Sequence, residues 1–67
     1  MKYHNVKLGV ALKNFSWLEL YWNNVPAESP EMAIKFCGIA ARELIGENYV
    51  AYWNIRTEQL FPSSPLS

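Results

Sequence analysis

Apolar and polar residues alternate over residues 4–12. His4, Val6, Leu8, Val10 and Leu12 fall on one side, and Asn5, Lys7, Gly9 and Ala11 on the other. A period of two predicts a strand with one buried face. The alternation resumes over residues 15–23, where Leu18, Leu20 and Trp22 oppose Phe15, Trp17, Glu19 and Tyr21. Aromatic rings suit strands. Lys13-Asn14 gives the chain a place to turn, so the two runs predict an antiparallel hairpin. Asn23-Asn24-Val25-Pro26 is expected to break the second strand. A third run covers residues 49–57, with Ala51, Trp53 and Ile55 set against Val50, Tyr52, Asn54 and Arg56.

Between the second and third strands the period lengthens. Ser29-Pro30-Glu31 opens a helix: the serine hydroxyl caps free N–H groups, proline fits the first position, and glutamate favours the positive end of the dipole. The helix is expected from Pro30 to Ile45, closed by Gly46 in a left-handed conformation. Its predicted buried stripe is Ala33, Phe36, Cys37, Ala40 and Leu44, with Glu31, Lys35 and Arg42 opposite and Met32, Ile34 and Ile39 widening the apolar arc.

The order β-β-α-β places the chain in the α+β class. A right-handed crossover sets a three-stranded antiparallel sheet in the order 2-1-3, with one helix on one face. Residues 1–59 form the single domain, and residues 60–67 a Pro/Ser-rich tail.

One helix leaves the other face of the sheet bare. If Val6, Leu8, Val10, Leu12, Leu18, Leu20, Trp22, Ala51, Trp53 and Ile55 meet the helix, parity turns the remaining large residues outward. The candidate partner-binding set is therefore Tyr3, Lys7, Phe15, Trp17, Tyr21, Tyr52 and Arg56. Exposed rings in a group are unusual in a monomer, and Tyr, Trp and Arg dominate binding hot spots. Three bland readings compete. The rings could pair to stabilise the sheet, Leu60-Phe61 could fold over them, or the register could be inverted. Gly9 reads as a bulge or, in preference, as room for a facing ring, Trp17 or Tyr52.

Charge and size narrow the function. A chain of 67 residues beginning at Met1 reads as one small gene product, and a core of this size barely offsets the entropy of ordering. The lone Cys37 excludes an internal disulfide. One histidine, one cysteine and no aspartate give no metal cluster, so no cofactor or metal is expected. What remains is aromatic packing and a protein partner, self included. Zero net charge argues against an electrostatic grip on nucleic acid or membrane. A nucleic-acid module stacking bases on the same face therefore ranks behind a protein partner. A homodimer by face-to-face sheet packing is the simplest version, and a small homodimeric structural or toxin–antitoxin type protein is the further alternative. Neither a signal peptide nor a spanning stretch is read, and a free thiol suits the cytoplasm. His4 with Glu19 or Glu58 is the only acid–base pairing to weigh. A single histidine on an apolar strand is structural by default, so no catalytic residue is assigned. Cys37 lies on the buried stripe as a small hydrophobe.

In the segment from Asn23 to Ile45, Val25, Ala27, Ser29, Glu31 and Ala33 follow a hairpin and enter a single amphipathic helix. In this the chain resembles very small phage-encoded proteins that inhibit host complexes, of the host-takeover or anti-CRISPR type. The resemblance implies stoichiometric inhibition by surface occlusion in the host cytoplasm. It carries over no functional residue, and the neutral charge departs from the acidic members that mimic nucleic acid.

Overall fold

The computed structural model describes residues 2–61. Strand β1 (Lys2–Leu12) and strand β2 (Trp17–Ala27) form the hairpin. Helix α1 (Pro30–Ile45), a 3-10 turn (Gly46–Asn48) and strand β3 (Tyr49–Leu60) follow. Both partners of β1 are antiparallel, and the order is β2-β1-β3, as the crossover rule predicts. The third strand outruns its expected end by three residues, so Leu60 is strand and not tail. Residues 62–67 of the expected tail lie outside the described residues.

The helix ends follow from local chemistry. The Ser29 hydroxyl accepts the Met32 N–H at 3.2 Å, Pro30 stands at the first helical position, and Gly46 takes φ 75° at the close. Inside the helix the expected stripe is rotated. Ala33, Cys37, Gly38 and Ala41 are buried, whereas Phe36 and Leu44 are exposed. The reason is distance. Small residues let the helix axis approach the sheet, and the sheet supplies the bulk: a Cβ on Gly38 would lie 2.6 Å from the Tyr52 ring. Phe36 is displaced to the flank, where it lines a shallow groove with Trp22 and Val25.

Three irregularities in the ladder decide which side chain faces where. In β2 the pairing passes from Val6↔Trp22 to His4↔Val25, so Asn23 and Asn24 together oppose Asn5. Asn24 adopts φ 58°, and its N–H donates to the Asn5 Oδ1 at 3.2 Å. The expected break is thus a β-bulge. The strand continues through it, and the parity reset brings Val25 and Ala27 beneath the helix. Pro26, which has no N–H to donate, is tolerated because β2 is an edge strand.

In β3 the pairing steps from Lys7↔Arg56 to Leu8↔Asn54, leaving Ile55 as an extra residue. A second step, from Ala11↔Ala51 to Leu12↔Tyr49, leaves Val50 extra. A one-residue slip moves every following side chain to the other face. Between the two bulges the expected parity is therefore reversed. Tyr52 and Asn54 share the helix side with Val10 and Leu8, while Ala51 and Trp53 share the opposite side with Ala11 and Gly9. The core beneath the helix is Val6, Leu8, Ala27, Ala33 and Cys37, with Trp22, Val25 and Ile34 packed against it. Burying one such leucine stabilises the fold by about 1.5–3 kcal/mol.

Candidate protein-binding face

The face away from the helix is organised in rows set by the register. Trp17, Ala11 and Ala51 form the row nearest the hairpin turn. Glu19, Gly9 and Trp53 come next, then Tyr21, Lys7 and Arg56, and at the far end Pro26, Tyr3 and Leu60. Of the seven candidate residues, the structure places Tyr3, Lys7, Trp17, Tyr21 and Arg56 on this face. Tyr52 is not among them: the Ile55 bulge turns it under the helix against Gly38.

Phe15 also departs from expectation. It belongs to the turn and not to β2. There it is 100% exposed and holds φ 64°, a left-handed conformation that suits glycine or asparagine and is unfavourable for a bulky residue. The turn around it is held by Leu12 N–H to Ser16 O (2.9 Å), Phe15 N–H to Leu12 O (3.2 Å) and Ser16 N–H to Asn14 Oδ1 (3.2 Å). The Ser16 hydroxyl donates to the same Asn14 oxygen. Lys13 N–H to Asn48 O (2.9 Å) ties the turn to the exit of α1. The ring is thus presented on a fixed support.

Trp53 takes the place expected for Tyr52. Gly9 has no side chain, and the indole lies across it so closely that any Cβ there would overlap the ring. Trp53 meets Trp17 with centroids 6.2 Å apart and planes tilted by 55°, within the range of favourable aromatic pairs. Trp17 remains 60% exposed and Trp53 43%. The two rings, Phe15, Ala11 and Val50 line an open groove of about 530 Å³. Gly9 was the one sequence signal for this contact; it marks a facing ring, and only the bulge says which.

Below the rings the face is charged but internally neutralised. Lys7 Nζ stands 3.1 Å from Glu19 Oε1, and Arg56 Nη2 stands 3.6 Å from Glu58 Oε2. Lys7 and Arg56 therefore each have a carboxylate. Lys13, which lines the groove, is the one cation there without such a pair among the described residues, so little net positive potential is left for phosphates.

The opposite side offers little chemistry. His4 is fully buried; its Nε2 donates to the Ala27 carbonyl at 3.3 Å, and Nδ1 has no partner among the described residues. No solvent reaches the ring, and the glutamates considered beside it pair with Lys7 and Arg56 instead. Cys37 is buried beneath α1, and burial pushes its thiol from 9.0 up to about 11, which keeps it protonated and unreactive at neutral pH. Among the described residues no three metal-ligating side chains gather, and no helix is long and apolar enough to cross a membrane. No family model, curated protein or solved structure matches the chain.

Proposed function

We propose that the chain is a protein-binding inhibitor or adaptor that acts by stoichiometric occlusion, with the open sheet face as its contact surface. The observation that carries this reading is the Trp17–Trp53 pair. Two indoles lie together on a face that no described residue covers, beside a fully exposed Phe15. Water is a poor neighbour for such a group, and buried aromatic anchors of this kind dominate protein interfaces. The resemblance to small phage-encoded inhibitors supports a host CRISPR or transcription complex as the class of target. The single buried thiol suits a cytoplasmic setting, that of the host for a phage-borne gene.

The row Tyr21–Lys7–Arg56 favours nucleic acid as the second reading, since a ring beside cations can stack a base and meet a phosphate. The two ion pairs on those cations put it behind protein. Capture from host lysate on immobilised chain, across a salt series, separates the two. The protein reading expects bound protein that persists at high salt and is lost with Trp17→Ala. Nucleic acid in the eluate, released steeply as salt rises, would replace it with the second reading.

A further inference from the structure

We infer that the occupant of the open face is a second copy of this chain, packed sheet to sheet about a two-fold axis that runs parallel to β1. The inference rests on reading the open face as protein-binding, and it gives that face to a second copy in place of a host complex, which would then be met by the outward-turned helices.

The register makes the face complementary to itself. A two-fold axis along β1 exchanges the β2 and β3 columns while keeping each row at its height. Trp17 of one copy then stands over Ala51 of the other, a large ring over a small residue. In the third row Tyr21 meets Arg56, an arrangement that gives a cation–π contact. At the far end Pro26 meets Leu60. On the axis itself Gly9 faces Gly9, and the same row sets each Trp53, whose ring lies across that glycine, beside its symmetry mate and opposite Glu19 of the other copy. The one meeting of like charges is Lys7 with Lys7, and each leans away to its own Glu19. An axis across the strands gives none of this, since it sets Trp17 against Pro26 and Ala51 against Leu60.

Size and need agree with the geometry. Three strands of 11, 11 and 12 residues make a face of about 36 × 14 Å, roughly 500 Å² on each copy at ~3.3 Å per residue and ~4.8 Å per strand. The pair thus reaches the ~1,000 Å² that a specific interface requires. Among the described residues the buried apolar core is seven side chains, three of them alanine. A chain this small with one cysteine lacks the disulfides that similar domains use, and a second subunit supplies the missing burial. Zero net charge leaves no long-range repulsion between copies. Paired in this way, two copies turn their helices outward, so the acting unit is a two-headed one.

Sedimentation equilibrium of the full chain tests this, with circular dichroism to confirm that each variant is folded. The wild type is expected as a dimer. Ala51→Trp blocks the hollow that receives Trp17 and should raise the dimer Kd at least about tenfold. The double variant Trp17→Ala/Ala51→Trp exchanges knob and hollow across the axis and should recover most of that loss. Trp17→Glu, a second route to dissociation, should sediment as a folded monomer, whereas Ile39→Glu on the outer surface of α1 should remain a dimer.

A wild type that is monomeric at all concentrations, a double variant no better than Ala51→Trp alone, or dissociation by Ile39→Glu and not by Trp17→Glu would overturn the inference. If the wild type is monomeric while Trp17→Ala still abolishes capture from lysate, the second copy is wrong and the protein-binding face stands. If neither association nor capture depends on Trp17, both fail.

Discussion

The two faces of this sheet are cut from the same three strands, yet they use their large side chains in opposite ways. Under the helix, bulk comes from the sheet and space comes from the helix: Leu8, Val6 and Val10 fill the room left by Ala33, Cys37, Gly38 and Ala41. On the open face no described residue covers the rings, and within the sheet Gly9 receives Trp53. The first arrangement excludes water completely and stabilises the fold. The second leaves apolar surface that stabilises something only when another surface arrives. A glycine serves each face, and in both cases it admits an aromatic ring from β3.

The sharpest way to break this comparison is to truncate one large residue on each face. Leu8→Ala, at 0% exposure in the centre of the covered face, should cost about 2–5 kcal/mol of unfolding free energy. Trp53→Ala should leave a cooperative fold in a urea titration, because its ring lies on the open face, 43% exposed, and not in the covered core. Equal losses for the two variants would erase the distinction between faces.

Cys37 probes the covered face by pH. Burial raises its thiol from 9.0 to about 11. Below about pH 9 the thiol is protonated in both states and its contribution is fully present. As pH rises from 9 towards 11 the unfolded chain loses the proton first, so unfolding becomes easier, by roughly 2–3 kcal/mol at the upper end. Urea midpoints at pH 8 and above pH 10 should diverge in the wild type more than in Cys37→Ala. The same divergence in both proteins would mean that the thiol is accessible when folded.

The covered face was largely legible in the sequence because its signals are local. Alternation over residues 4–12 placed Val6, Leu8 and Val10, and Ser29, Pro30 and Gly46 fixed both ends of α1. The orientation of the helix departs from the expected one at Phe36 and Leu44, which are exposed. Hydrophobicity alone does not reveal that close approach favours Gly38 and Ala41 over larger residues. The open face was legible on β1 and β2, where Trp17, Tyr21 and Lys7 stand as parity requires. On β3 parity failed between Val50 and Ile55, because bulges arise from pairing with a distant strand and leave no mark in an alternating run. That is why Tyr52 and Trp53 changed places. Phe15 was hidden for a related reason: its rank as an apolar residue predicts strand, whereas the turn places it at a position that glycine normally fills.

The exchange of Tyr52 and Trp53 is the claim on which both faces depend, and Gly38 reports it directly. In the helix interior Gly→Ala should stabilise by about 1 kcal/mol if nothing obstructs the new methyl group. Here that methyl would press on the Tyr52 ring. Urea denaturation of the wild type, Gly38→Ala, Tyr52→Ala and the double variant should therefore show a change of sign: Gly38→Ala destabilising on its own and stabilising once Tyr52 is alanine. An identical effect of Gly38→Ala in both backgrounds would place Tyr52 on the outer face and return Trp53 to the core.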